Sequence, residues 1–293
     1  MRHKGLFISA IFIVLLLLSF CFGMIAYLLS SSETNSAGIF GKDGVGLIKI
    51  EGTIIDSMKT LRELEEFRKS KKIKAIVVRI DSPGGAVAPS QEMFEAIKYV
   101  KNEKPVIVSM GSVAASGGYY VACGASKIYA NAGTTTGSIG VRLEHLMIGD
   151  LMKWVGIGHE NMKSGKFKDL LPIDKPISPE AREILQVFLD DIHEQFKNDV
   201  ATSRSIDRSK IDEIADGRIF TGEQAKTLGL VDEIGGYTQA VLGAAEVSGI
   251  KGYPEIIYPK KEYKFIEKLM AETKALILGA SANSASIKAV ASQ

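Results

Sequence analysis

The sequence predicts an α/β fold built on a largely parallel sheet. Short runs rich in valine and isoleucine end in glycine or polar turns, and charged segments with apolar residues at helical spacing lie between them. Strands that alternate with helices in this way form parallel sheets. With 293 residues, the chain has room for one large domain or two modest ones.

The elements of this fold follow in order from residue 45. The predicted strands are VGLIKIEGTII (45–55), IKAIVVRIDSPGG (73–85), KPVIVSM (104–110), KIYANAG (127–133) and TGSIGVRL (136–143). The predicted helices are SMKTLRELEEFRKSKK (57–72), PSQEMFEAIKYVKNEK (89–104), SGGYYVACGAS (116–126) and a long amphipathic helix that begins at Pro179 with Ser178 as its N-cap. From 208 to 249, short helices are expected to alternate with turns.

The N-terminal segment predicts a membrane anchor. Residues 5–29 contain no charged side chain, and about 20 apolar residues suffice for a helix to cross a bilayer. Basic residues precede this segment, so the positive-inside rule places residues 1–4 in the cytoplasm and the rest of the chain outside. Residues 30–43 are expected to form a linker to a domain at 44–258, and residues 259–293 a flexible C-terminal tail.

Charge and cysteine content argue against several classes of function. The formal net charge is +2 and no arginine-rich run occurs, so nucleic acid is not expected as a partner. Cys21 lies in an apolar run and Cys123 among small residues, so a disulfide between them is not expected. The sequence has no CxxC pair, no HExxH and only four scattered histidines. We therefore predict no metal and no cofactor.

The turn DSPGG (81–85) closes the second predicted strand. Gly84 and Gly85 let backbone amides point into a cleft without interference from side chains. The turn either connects a strand to a helix or offers backbone donors to an anion, and the residues alone favour the simple connection. No Walker lysine follows, which disfavours a phosphate-binding loop.

Ser116 lies within GSVAASGGYY (111–120), just before a predicted helix. At a helix N-terminus, the free amides and the helix dipole favour developing negative charge. Ser116 is therefore either a nucleophile whose oxyanion the Gly117 amide would stabilise, or an ordinary N-cap. The local sequence does not decide between these roles.

A serine nucleophile needs a base. No histidine is predicted beside Ser116, and His193 is expected on the polar face of the long helix. A lysine can serve if desolvation or neighbouring charges keep it neutral. The segment NMKSGKFKDLL offers three candidates, Lys163, Lys166 and Lys168. The last two share a face if the segment is extended, so periodicity does not choose between them.

Ser138 is a second serine of interest, between two glycines in TTTGSIGV (134–141). A serine in this setting is commonly a turn residue. Its hydroxyl could instead hold a neutral lysine amine in position.

Taken together, five segments resemble the bacterial signal peptide peptidase A family in its short, single-copy form. They occur in order between residues 44 and 258: DSPGG, SMGSVAASGGYY, TTTGSIGV, KSGKFKD and ADGRIFTGEQAKTLGLVDEIGG. The resemblance implies the Clp protease/crotonase-like α/β superfold of repeated ββα units, preceded by one transmembrane helix. It also implies a membrane-bound serine protease with a Ser/Lys dyad.

The resemblance implies a role for each matching residue. Ser116, in the AASGG motif, would be the nucleophile, and Lys168, just before the acidic residue of the SGxxKD motif, would be the general base. The backbone amides of Gly85 and Gly117 would form the oxyanion hole. Ser138 would hydrogen-bond the lysine amine.

The resemblance also implies substrates and assembly. The expected substrates are remnant signal peptides and other apolar peptides, degraded by a homo-oligomer on the extracytoplasmic side of the cell membrane, with the lipid bilayer as a partner of the N-terminal helix. Two alternatives stay open. One is a crotonase-like acyl-CoA enzyme, which would not need Ser116 and Lys168, and the other is a membrane-tethered scaffold with an inactive site.

Overall fold

Strands and helices alternate from residue 44 to residue 130, as the sequence predicts. The computed structural model describes residues 43–260. The strands are β1 (Gly44–Glu51), β2 (Ile73–Ser82), β3 (Val106–Ala115), β4 (Lys127–Ala130), β5 (Thr135–Gly137), β6 (Ile219–Thr221), β7 (Glu233–Ile234) and β8 (Glu255–Ile257). The helices are α1 (Met58–Lys69), α2 (Val87–Lys101), α3 (Gly117–Cys123), α4 (Gly149–Trp154), α5 (Pro179–Arg204), α6 (Arg208–Ile214), α7 (Gly222–Thr227) and α8 (Tyr237–Val247).

The predicted N-terminal anchor at 5–29 lies outside the described residues, as do residues 1–4, the linker up to residue 42 and the tail beyond residue 260. Within 43–260, every helix falls short of the length or hydropathy that crossing a membrane requires.

The described strands form one mixed sheet. Its order is β6-β5-β3-β2-β1-β8, and β4 joins through β3 and carries β7. Neighbouring strands are parallel except β5 and β6, which are antiparallel. Parallel strands bring their carboxyl ends to the same edge, and here Ser82 at the end of β2 pairs with Ala114 at the end of β3. This register places the DSPGG turn beside Ser116.

The sheet is covered on both faces, which explains its continuous apolar strands. On β2, Ile76, Val78 and Ile80 pack into the larger core beneath α1, α2, α3 and α5. The alternate residues Ala75 and Val77 face α8 on the other side. This period of two is that of a strand buried on both faces, and it reads in the sequence as an unbroken hydrophobic run.

Three features differ from the predicted elements. Strand β3 continues to Ala115 instead of ending at Met110, because Gly111 lets the chain pass Asp81: a Cβ there would lie 2.7 Å from the Asp81 carboxyl carbon. The strand predicted at 136–143 ends at Gly137. From 44 to 130, single strands alternate with single helices, so the implied ββα repeat is not the order of elements there.

Helix α5 begins as predicted and then changes character along its length. The Ser178 hydroxyl accepts a hydrogen bond from the Ala181 amide at 3.2 Å, which is the N-cap interaction. Phe196 and Val200 in the second half are buried. The first half buries Ala181 but exposes Val187 and Phe188, so the large side chains that α5 adds to the core come from its C-terminal half.

Candidate active site

Ser116 lies at a sharp turn between β3 and α3. Its backbone has φ 52° and ψ −122°, a region that a residue with a side chain seldom occupies. Its hydroxyl makes no capping hydrogen bond to the helix. A serine in a strained strand-to-helix turn is the arrangement that exposes a nucleophile in hydrolases. The geometry therefore favours the nucleophile over the N-cap.

The DSPGG turn packs its backbone directly against this serine. A Cβ on Gly84 would lie 2.6 Å from the Gly117 nitrogen, and a Cβ on Gly117 would lie 3.2 Å from the Gly85 nitrogen. Ile54 holds the turn in place, because its N–H donates to the Gly84 carbonyl at 2.9 Å and its carbonyl accepts from Ala86 at 2.7 Å. The turn thus connects β2 to α2 and lies beside Ser116, and its role as a donor to an anion stays a prediction.

The amides of Gly85 and Gly117 are available as a pair of donors. Among the hydrogen bonds of residues 43–260, neither N–H is a donor. Two unused backbone donors beside a nucleophile are what an oxyanion hole requires, since they can bind charge that develops only during the reaction.

Ser138 lies at the same site, again in a left-handed conformation, with φ 50°. The carbonyl of the preceding Gly137 accepts from the Ser116 amide at 2.8 Å, and the Ser138 amide donates to the Arg218 carbonyl at 2.8 Å. The two serines therefore occupy adjoining walls of one cleft.

The cleft has a volume of about 740 Å³ and combines polar groups with an apolar wall. Tyr120 stacks on Phe94 at 5.1 Å between ring centroids and meets Phe196 edge-on at 4.4 Å. Burial and a hydrogen bond to Asp199 raise the pKa of the Tyr120 hydroxyl, so this group remains protonated. Besides the two serines and the glycine turn, the lining residues include Val87, Gln91, Tyr120, Ile192, His193 and Phe196.

Lys168 does not line this cleft. It is exposed, in a segment whose residues from 155 to 168 are all exposed. Its neighbour Lys166 forms an ion pair with Glu180 at 2.6 Å. The structure of the single chain thus brings together Ser116, Ser138 and the two donor amides but leaves the lysine apart, and the assignment of the base stays a prediction.

Two titratable residues of the cleft differ from the sequence-based prediction: His193 was misplaced and Asp216 was missed. His193 is half-buried and lines the cleft, so its placement on the polar face of α5 was wrong. Its position three residues before the buried Phe196, on the same helical face, was the available signal. Asp216 also lines the cleft, and Arg218 lowers its pKa to about 2, so its carboxylate is ionised at neutral pH.

Cys123 is not a competing nucleophile, although it lies on α3, the helix that begins directly after Ser116. It is fully buried, and the loss of solvation raises its pKa to about 12. Because the thiolate is the reactive form, this thiol is inert at neutral pH.

Comparison with known proteins identifies related chains. The model of "Peptidase family S49" matches residues 98–251, and that of "Clp protease" matches residues 47–135. Identity is 42% over 211 residues with "Putative protease slr0021" of Synechocystis sp., covering 70% of this chain and 75% of that protein. It is 37% over 206 residues with "Serine protease SPPA, chloroplastic" of Arabidopsis thaliana, covering 70% of this chain and 30% of that protein. It is 39% over 177 residues with "Putative signal peptide peptidase SppA" of Enterococcus faecium, covering 60% of this chain and 51% of that protein.

Proposed function

This chain belongs to peptidase family S49 and is a serine protease with a Clp protease-like α/β fold, and we propose that it is an endopeptidase with Ser116 as nucleophile and Lys168 as general base. The observation that carries the proposal is the strained Ser116 beside two unused amides, those of Gly85 and Gly117. An acyl-CoA enzyme would use such amides too, but it would have no need of a strained serine.

We propose the following reaction for this dyad. A neutral Lys168 takes the proton of the Ser116 hydroxyl while Oγ attacks the scissile carbonyl, and the amides of Gly85 and Gly117 bind the resulting oxyanion. The lysine then protonates the leaving amine. Water hydrolyses the acyl-enzyme by the same route, with the lysine again as base. The Ser138 hydroxyl would hold the amine between these steps.

The proposed mechanism requires the Lys168 amine to lie beside a Ser116 hydroxyl and to be shielded from water. A solvated lysine is charged and cannot accept a proton, whereas a desolvated one can be neutral. The segment around it is rich in exposed apolar side chains: Leu146, Met147, Leu151, Trp154, Val155, Ile157, Met162, Phe167, Leu171 and Ile173. An accumulation of exposed apolar side chains favours an interaction site. We therefore propose a homo-oligomer in which a neighbouring copy covers this segment and receives its lysine at Ser116.

The dyad is tested with three single variants. We expect Ser116→Ala and Lys168→Ala to abolish peptidase activity and labelling by a serine-directed acylating reagent, while Lys166→Ala retains both. Activity that survives Lys168→Ala but is lost in Lys166→Ala would show that the base is the other lysine. Wild-type protein that is folded and assembled but never labelled would rule out the protease mechanism.

Sharing of the dyad between copies is tested by mixing. Copies carrying Ser116→Ala and copies carrying Lys168→Ala are each inactive, but mixed oligomers would contain sites with one intact serine and one intact lysine. We expect part of the activity to return after dissociation and reassembly. Mixed oligomers that form but stay inactive would place both residues of each dyad in one chain.

The same proposal extends to substrate and location. The apolar cleft residues Val87, Ile192 and Phe196 suit aliphatic side chains, and the uncharged segment 5–29 would hold the domain at the outer surface of the cell membrane. One relative bears the name of a putative signal peptide peptidase. We propose remnant signal peptides as substrates. Mass analysis of products from a synthetic signal peptide should show internal cleavage in its apolar stretch, with an equally long charged peptide left intact.

A further inference from the structure

Residues 137–139 form the wall of the cleft that carries Ser138. This wall is held by backbone hydrogen bonds to residues outside β5. Gly137 and Ser138 both have positive φ, 75° and 50°, and such a conformation is unfavourable for a residue with a side chain. It persists only where surrounding contacts impose it. Three backbone bonds do so: Ser116 N–H to the Gly137 carbonyl at 2.8 Å, Ser138 N–H to Arg218 at 2.8 Å, and Gly217 N–H to Ile139 at 3.1 Å.

His193 supplies a fourth contact, and it is the one made by a side chain. Its Nε2 lies 3.2 Å from the carbonyl oxygen of Ile139, the residue after Ser138. A carbonyl can only accept, so Nε2 must carry the hydrogen in this bond. The protonated ring and the neutral Nε2–H tautomer can both donate it. This nitrogen is therefore occupied by the wall and is not free to take a proton from serine.

His193 lies between the buried and the exposed parts of α5. Phe196 and Val200, one to two turns later, are buried in the core, and Asp199 accepts the Tyr120 hydroxyl. Before His193, the helix exposes Val187 and Phe188. His193 thus contacts the serine wall at the point where α5 departs from it.

The exposed end of α5 leads directly to the lysine segment. Glu180, in the first turn of α5, pairs with Lys166 at 2.6 Å, and residues 169–178 connect Lys168 to that turn.

We propose that His193 is a positioning residue, which fixes the Ser138 wall to α5 and so sets the geometry in which Ser138 receives the lysine amine. This proposal rests on the Ser/Lys dyad proposed above. It gives His193 no proton-transfer step, in contrast to a histidine that acts as general base.

The test compares three variants of the full chain on α5. His193→Gln keeps an N–H donor near the position of Nε2, His193→Ala removes it, and the exposed Asn198→Ala on the same helix is the control. We expect His193→Ala to lower kcat by roughly 10-fold to 100-fold, the cost of a misplaced catalytic group, with little change in KM. His193→Gln and Asn198→Ala should stay close to wild type. Equal loss in the glutamine and alanine variants would show that the imidazole itself is required, and an unchanged kcat in the alanine variant would overturn the proposal.

Hydrogen exchange of the peptide spanning 136–142 provides a readout that does not depend on activity. We expect faster exchange there in His193→Ala and wild-type exchange in His193→Gln and Asn198→Ala. Unchanged exchange in His193→Ala would show that the contact does not hold the wall. If the wild-type protein has no peptidase activity, the proposed function fails, while this comparison still decides the role of His193.

Discussion

The two parts of the proposed dyad lie in regions of opposite character. The serine side, residues 73–123, consists of β2, α2, β3 and α3, and its interior side chains such as Ile76 and Val108 are wholly buried. The lysine segment, residues 142–178, contains one helix of six residues and exposes Trp154 to 83% and Met162 to 92%. The chain on its own therefore brings together the proposed nucleophile and the proposed oxyanion donors but not the proposed base.

The difference has a simple physical origin. The apolar residues of the serine side recur with the periods of strands and helices, so they share faces that pack against other elements of the same chain. Folding therefore removes them from water. Many apolar residues of the lysine segment, such as Trp154 and Met162, stay exposed within residues 43–260. Their burial, and with it the desolvation that a lysine base needs, must come from a further contact. We therefore expect variants in the core of the serine side to affect folding of the single chain, and variants at exposed apolar residues of the lysine segment to affect assembly.

The largest effect is expected at the glycine turn of the serine side. In Gly85→Ala, the added Cβ would lie 2.0 Å from the Ile54 carbonyl oxygen, so the turn must move and displace its donor amide. Loss of one oxyanion donor costs about 100-fold to 1,000-fold in kcat. We expect at least that loss in a peptidase assay.

Gly133→Ala is the matched control for this variant, because nothing lies within 4 Å of a Cβ at Gly133. It should leave activity and melting temperature unchanged. Full activity in Gly85→Ala would mean that the turn is not part of the catalytic machinery.

A smaller effect distinguishes the two regions by stability. Met93 on α2 is 1% exposed and Met162 in the lysine segment is 92% exposed. The same change to alanine should lower the free energy of unfolding by about 2–5 kcal/mol at Met93 and by less than about 0.5 kcal/mol at Met162. Denaturant titration of the dissociated protein measures both values.

The outcome at Met162 also bears on assembly. If the lysine segment is an interface, Met162→Ala should weaken association while leaving the unfolding of the single chain unchanged. A large loss of single-chain stability at Met162 would contradict the contrast between the two regions.

Much of the serine side could be predicted from the sequence. The β-branched runs and helical spacing gave β1 to α3 in order, because both faces of the sheet are covered and the hydrophobic pattern is therefore strong. The five motifs, once matched to a family, gave Ser116, Gly85, Gly117 and Ser138, and these lie at one cleft.

The remaining features depend on contacts that leave little trace in a local pattern. Strands β6, β7 and β8 have two or three residues each, too short to show a period. His193 was misplaced because its partner, the Ile139 carbonyl, is 54 residues away in the chain and is a backbone atom. The surroundings of Lys168 depend on a surface that the single chain leaves uncovered. The sequence of the segment alone therefore could not predict them.

The smallest effect is spectroscopic and addresses the uncovered surface directly. Trp154 is the one tryptophan of the 293-residue sequence, so intrinsic indole fluorescence reports on the lysine segment alone. At low concentration, its exposure predicts emission typical of hydrated indole and strong quenching by acrylamide. If neighbouring copies cover the segment, raising the protein concentration at fixed detergent should shift the emission to shorter wavelength and reduce quenching. The shift should follow the oligomer fraction measured by sedimentation, and Lys168→Ala should show the same shift because it removes the base without removing the apolar surface. Oligomers that form while the emission stays unchanged would place the interface elsewhere and contradict the proposal that a neighbouring copy covers the lysine segment.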